Sequence, residues 1–390
     1  MENFYFYAPT YFAFGKDMES EAGRLVKRFG GSRVLIHYGG GSVVRSGLLD
    51  RVKASLDKEG IGYVTLGGVK PNPRSGLVYE GIDLCRKEGV DFVLAVGGGS
   101  VIDSSKAIAA GTIYDGDFWD FYEGKPVEKA LPIGTVLTIA AAGSEGSPDS
   151  VITKEEGNLK RGASGEAYRP RFSILNPALT QTLPPHQTAA GITDIIAHLY
   201  ERYLTNSTEV EVTDRLIEAL IMTMKYEGPR VIEDPNNYEA RANIMWGGMV
   251  AHNNICGVGR SQDWSSHAIE HELSAEYDCA HGAGLAVTMP AVFKYTMHHD
   301  VKRFATIARR VWDVTQADDE KAALAGIEAL SSFLSSLGMP KNFAELGANE
   351  ADIEKMAERA CYGDGNGSGY IYGFTKLSKE DVVNIYKMMV

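Results

Sequence analysis

A chain of 390 residues with 44% hydrophobic content can bury a sizeable core, and at about 100–200 residues per domain it reads as two domains rather than one. Its 39 Lys and Arg against 51 Asp and Glu leave a formal net charge of −12, which argues against binding to nucleic acid or an anionic membrane. No stretch reaches the about 18–20 uninterrupted apolar residues of a membrane helix, and the aromatic start lacks a basic-then-apolar leader. Cys85, Cys256, Cys279 and Cys361 are scattered without a CxxC pair, so a cytoplasmic protein without a disulfide framework or thiolate zinc cluster is expected.

In chain order, residues 4–14 are aromatic and read as an edge strand suited to pairing across a homodimer interface. Residues 33–38 (RVLIHY) form an apolar β-branched run, followed by Gly39-Gly40-Gly41-Ser42 and a helical pattern over 46–59. A strand at 63–66 and a helix at 75–88 come next. The same grammar then repeats, with 91–96 (DFVLAV), Gly97-Gly98-Gly99-Ser100 and a helical pattern over 101–110. Such alternation predicts a Rossmann-like parallel sheet with helices on both faces. Further strands are expected at 132–137 and 171–175, with a polar, glycine-bearing hairpin around 154–160. After Pro184-Pro185 helical periodicity dominates, as in 209–225, 238–254, 301–314 and 322–337. The expected division is therefore an α/β domain over 1–185 and an all-helical domain over 186–390.

A strand that ends in glycines and runs into a helix leaves backbone N–H groups at a positive dipole end, an arrangement that holds phosphate oxygens. Gly97, Gly98 and Gly99 allow close backbone approach there, and Ser100 adds a hydroxyl. The spacing departs from GxGxxG, and a tight turn without a ligand explains many single glycine clusters. Two in succession favour the phosphate reading.

The second half carries a different chemistry. Asp194 and His198 stand at i, i+4 in GITDIIAHLY, and His267 and His271 stand at i, i+4 in SSHAIEHELSAEYDCAHGAG, with His281 following. That spacing puts each pair on one helix face. Imidazoles with a carboxylate suit Zn²⁺ or Fe²⁺, whereas Mg²⁺ and Ca²⁺ prefer oxygen donors. Each histidine alone could equally be an ordinary core residue, and neither pair is the HExxH of zinc proteases.

Taken together, GGGSVIDSSKAIA (97–109), AGSE (142–145), NPALTQTLP (176–184), GITDIIAH (191–198) and HAIEHELSAEYDCAHGAG resemble the iron-containing alcohol dehydrogenases over nearly the whole chain. The likeness is greatest to their butanol dehydrogenase and aldehyde reductase branch. It implies a dinucleotide-binding α/β domain and an all-α metal-binding and catalytic domain, in an architecture like that of dehydroquinate synthase. It also implies that Asp194, His198, His267 and His281 are metal ligands. His271 would lie beside the metal, as a catalytic residue that passes a proton to solvent. Gly97, Gly98, Ser100 and Asp103 would hold the pyrophosphate, with Thr138, Ser144, Lys160, Leu179 and Leu183 further along the groove, and Gly40 and Ser42 of the first glycine turn are further candidates to bind the cofactor. Lys106 also matches, although a solvated helix lysine would look the same.

The resemblance implies a reaction as well. An ion held this way acts as a Lewis acid on the substrate oxygen while hydride passes between a small primary alcohol or aldehyde and the nicotinamide. NAD enzymes of the family tend to place an acid after the first strand. Here Gly39-Gly40-Gly41-Ser42 carries none, which permits NADP(H) and favours it over NAD(H), with Arg45 as counter-charge. The family's threonine-rich run before GSE is Ala140-Ala141-Ala142 here, which removes a hydroxyl. Trp264 and Tyr362 are candidates to line an apolar substrate pocket. Two alternatives are a sugar-phosphate cyclase or polyol-phosphate dehydrogenase of related fold, and a noncatalytic metal-binding protein. The former needs several basic residues on a phosphate, and only Arg260 lies near the metal motifs.

Overall fold

Runs such as Phe92–Gly97, buried at every position, do not alternate between core and solvent, and this is the pattern of a parallel strand covered on both faces. The computed structural model describes residues 1–362 and 368–390. Its first part contains β1 (Tyr11–Phe14), α1 (Ala22–Arg28), β2 (Arg33–Gly39), α2 (Ser42–Arg45), α3 (Leu48–Lys58), β3 (Gly62–Val69), α4 (Ser75–Glu88), β4 (Phe92–Gly97), α5 (Gly99–Ile113), β5 (Ile133–Leu137), β6 (Asp149–Lys154), β7 (Leu159–Ser164) and β8 (Phe172–Leu175). Six of these strands form one sheet in the order β1-β8-β5-β4-β2-β3, and every pairing is parallel. Alternate residues feed two cores. Leu35 and Val93 pack with Ile82 and Ile108 on one face, while Val34, Ile36, Leu94 and Val96 pack with Val52 and Phe172 on the other, as period-2 side chains require.

The order reverses between β2 and β4: the chain leaves β2 for β3 and returns to the opposite side of β2. His37 pairs with Ala95 and Tyr38 with Val96, so the two glycine turns end neighbouring strands. In open α/β sheets this switch point is where a crevice for ligands forms. The β6–β7 hairpin is antiparallel, running from Asp149↔Ser164 to Lys154↔Leu159, and supplies the hairpin that the sequence places around 154–160.

The chain divides into two compact units, Tyr7–Thr182 and a second made of Met1–Phe6 with Leu183–Val390. The sequence grouped residues 1–6 with the α/β half. Instead, the Met1 amine donates to the Thr208 carbonyl at 2.8 Å and Glu2 N–H to the Gly259 carbonyl at 2.9 Å. Only Tyr11–Phe14 of the expected 4–14 strand is strand, at the sheet edge.

The second unit contains α6 (Pro185–Tyr203), α7 (Glu211–Glu233), α8 (Tyr238–His252), α9 (Ser265–Tyr277), α10 (His281–Thr296), α11 (Val301–Val311), α12 (Asp319–Ser336), α13 (Phe343–Leu346), α14 (Ile353–Tyr362), β9 (Tyr370–Tyr372), β10 (Lys376–Ser378) and α15 (Lys379–Lys387). It is helical but not all-helical, because β9 and β10 pair antiparallel. Strands of three residues are too short to impose a visible period. The sequence pattern ended the helix after residue 209 at 225, yet α7 runs on through Pro229 to Glu233. Its buried face continues through Ile221, Met224, Gly228 and Val231, and that packing outweighs the lost hydrogen bond. Among the described residues no helix is long and apolar enough to cross a membrane, and no disulfide joins the four cysteines.

Candidate active site

Three helices of the second unit build one cluster. Asp194 and His198 lie on α6, His267 and His271 on α9, and His281 is the first residue of α10. Asp278, in the left-handed region at φ 50°, ends α9 and turns the chain into α10. The Nε2 atoms of His198, His267 and His281 lie 3.6, 3.6 and 3.7 Å from the same oxygen, Asp194 Oδ1. These separations are too long for hydrogen bonds. Asp194 Oδ1 and His267 Nε2 are buried without a hydrogen-bond partner, which costs free energy unless something sits among them. One donor atom from each of Asp194, His267 and His281 lies within 4.8 Å of the others, close enough to share an ion. One orphaned carboxylate oxygen and one orphaned imidazole nitrogen, with two further Nε2 atoms near the same oxygen, are the donors that a borderline divalent cation takes, so the residues fit a metal.

The surroundings explain the charges. Burial works to raise Asp194, but His281 and His267 outweigh it and hold its carboxyl below the usual range. Burial likewise works against a charged His267, yet the carboxylates of Glu201 and Asp194 push it up to about 10. His198 is driven well below its ordinary value by burial and by His252 and His267 beside it. Its ring is packed between theirs, with centroids 4.1 Å from His252 and 4.8 Å from His267. The ring of His271 lies 6.2 Å from that of His267 and 5.7 Å from that of His281, beside the cluster.

Sequence reasoning missed Glu201, Glu270 and His252. Glu201 accepts from His267 Nδ1, and Glu270 from His281 Nδ1. A signal was present, since Glu201 stands three residues after His198 and Glu270 three after His267, each on the same helix face as a candidate ligand of its own helix, although the ring each one holds belongs to another helix. Trp264 does belong to the cluster, its ring 5.4 Å from His267. Tyr362 is half exposed at the end of α14. Arg260 is buried and spends its guanidinium on Asp214 at 2.8 Å and on the carbonyls of Arg202 and Val210, so it is committed to the fold and not available to a substrate phosphate.

In the α/β unit, Gly97 and Gly98 join β4 to α5. A methyl at Gly97 would meet Val101 at 2.5 Å, and one at Gly98 would meet Ile139 at 2.0 Å, so the protein's own packing already demands glycine there. Gly98 caps α5 without a side-chain hydrogen bond, and no acid stands in the first turn, which leaves the dipole end open to an anion. Gly40 and Ser42 are exposed beyond β2, and Ser100 and Thr138 are half-buried near the end of β4. Asp103 turns inward, accepting from Ser144 Oγ at 2.5 Å and Val151 N–H at 2.9 Å. Lys106 is not a solvated lysine: it is fully buried and donates to the carbonyls of Ser144, Ser147 and Asp149 and to Ser144 Oγ. Burial lowers it to about 8 against the pull of Asp103. Lys160 is buried on β7 opposite Thr153, and Leu179 packs on the sheet core. Leu183 opens the helical unit.

The family model "Iron-containing alcohol dehydrogenase" matches residues 9–177, and "Fe-containing alcohol dehydrogenase family, C-terminal" matches residues 188–390. The chain is 43% identical over 390 residues to a probable NADH-dependent butanol dehydrogenase 2 of Bacillus subtilis, covering 99% of each. It is 36% identical over 363 residues to the NADPH-dependent aldehyde reductase YqhD of Escherichia coli, covering 92% of this chain and 93% of that protein. The crystal structure of an NADH-dependent butanol dehydrogenase A from Thermotoga maritima superposes with a TM-score of 0.97 at 40% identity, covering 100% of this chain and 99% of that one. Matched in both halves, and along its whole length by such relatives, the chain belongs to the iron-containing alcohol dehydrogenase family and is a metal-dependent alcohol dehydrogenase.

Proposed function

We propose that Asp194, His198, His267 and His281 hold one Fe²⁺ or Zn²⁺, and that the enzyme interconverts small primary alcohols and aldehydes of butanol-like size, using NADP(H) in preference to NAD(H). The observation that carries this reading is the convergence of three Nε2 atoms on one buried carboxylate oxygen, within 3.6–3.7 Å. When bound, the cation supplies Lewis-acid polarisation of the substrate oxygen. His271 moves the proton between the reacting centre and solvent, a task that suits an imidazole. Gly40, Ser42, Gly97, Gly98 and Ser100 receive the cofactor phosphates, Asp103 and Ser144 fix the loop that faces them, and Thr138, Lys160, Leu179 and Leu183 flank the rest of the cofactor. The absence of an acid at 39–42, with Ser42 and Arg45 exposed, supports acceptance of a 2′-phosphate. Relatives carry both cofactor names, so the preference belongs to this chain's own residues.

The boundary near residue 185 separates the cofactor-binding and metal-binding functions. A homodimer formed through the exposed edge strand β1, and a cytoplasmic setting, complete the proposal. His267→Ala is expected to lose metal and activity together while far-UV circular dichroism is unchanged, and a metal-free variant with full activity refutes the ligand set. Comparing kcat/KM for NADPH and NADH at 340 nm across a short aldehyde series tests the cofactor preference, and a higher value with NADH overturns it.

A further inference from the structure

The three imidazoles are not held alike. His267 Nδ1–H donates to Glu201 and His281 Nδ1–H to Glu270, and both acceptor side chains are completely buried. His198 instead is packed between the rings of His252 and His267. We propose that Glu201 and Glu270 are positioning residues of the metal centre: by accepting a hydrogen bond from Nδ1–H they hold the proton on that nitrogen and fix the tautomer whose bare Nε2 lies toward Asp194 Oδ1. This rests on the four-residue metal site proposed above.

Each carboxylate is itself anchored. Glu201 Oε1 accepts the His267 backbone N–H at 3.0 Å, so one side chain holds both the ring and the first turn of α9. Glu270 Oε1 accepts from Ser274 Oγ. A methyl at Gly284 would lie 2.5 Å from Glu270 Oε1 and 2.8 Å from its Cγ, so α10 closes over Glu270 only because residue 284 has no side chain. Charge points the same way. Asp194, Glu201 and Glu270 also crowd three buried carboxyl groups around one cluster, an arrangement that a divalent cation offsets. Carboxylates on the far nitrogen of ligating histidines orient the ring and raise its donor strength, and their loss costs about 10–100-fold in metal affinity.

The test uses Co²⁺ as the probe. Chelator-stripped wild type, Glu201→Ala, Glu201→Gln, Glu270→Ala, Glu270→Gln and His267→Ala are titrated with Co²⁺, reading the visible d–d bands and the Kd by chelator competition. Circular dichroism reports the fold. The alanine variants are expected to lose about 10–100-fold in Co²⁺ affinity with altered band shape. Glutamine keeps an acceptor for Nδ1–H, so those variants should recover part of the affinity while the bands stay shifted. Folded alanine variants with wild-type affinity and spectrum overturn the proposal. Where an alanine variant does not fold, a glutamine variant with wild-type affinity and spectrum overturns it equally. His267→Ala separates the two claims. If it loses Co²⁺ while the glutamate variants do not, only the positioning role fails; if it binds like wild type, the metal site fails and the positioning role with it.

Discussion

Two buried side chains of the α/β unit show how one residue's surroundings become measurable. His37, in the middle of β2, donates from Nδ1 to the Leu66 carbonyl at 2.8 Å, so its Nε2 accepts from Ser104 Oγ, also at 2.8 Å. Burial pulls the ring down to about 4, against the bond to Leu66. An unfolded histidine titrates near ~6.5, so between there and pH 4 the unfolded chain binds a proton that the folded chain refuses. Stability therefore falls with pH across that window, by up to about 3 kcal/mol. His37→Gln keeps a donor and an acceptor but does not titrate. Urea midpoints followed from pH 6.5 to 4 should fall more steeply for wild type, and parallel curves would remove His37 as the cause. Lys106 is the second case. Lys106→Met keeps the stem but leaves the carbonyls of Ser144, Ser147 and Asp149 without their donor, at about 1–3 kcal/mol for each group left buried and unpaired. A urea midpoint equal to wild type would show that those carbonyls find other partners.

At the scale of elements, the cluster depends on how closely α10 approaches α6. A methyl at Gly282 would stand 2.0 Å from the Ala190 carbonyl oxygen, a backbone atom that cannot swing aside. Gly282→Ala must push α10 off α6, and with it His281 away from Asp194. Overpacking of this kind costs about 1–3 kcal/mol, and the shift should weaken metal binding too, a pairing seen by measuring Tm without metal and Co²⁺ affinity together. Unchanged values for both would mean the helices have room to spare. The helices themselves were largely legible, as at 75–88, where the pattern and α4 coincide. The start of β1 and the hairpin β9–β10 were not, because short or edge segments take their conformation from neighbours rather than from their own periodicity.

For the whole molecule, the proposed cation ties α6, α9 and α10 together, so its removal is a stability experiment on one unit. A ligand at 100 times its Kd stabilises the folded state by about 2.7 kcal/mol. Chelation should lower Tm and raise amide hydrogen exchange in α6, α9 and α10 more than in the six-stranded sheet. Equal loss of protection in both units would count against a metal confined to the helical one. The sequence by itself determined the alternation of strands and helices, the two glycine turns and the i, i+4 pairing of Asp194 with His198 and of His267 with His271, because each is written in local spacing. Only the tertiary structure decided that His281 meets His198 and His267 at one oxygen of Asp194, that Glu201 and Glu270 stand behind two of the rings, and that Lys106 points inward. Those facts depend on which helix faces pack together and how closely, and packing is settled by contacts between residues far apart in the chain.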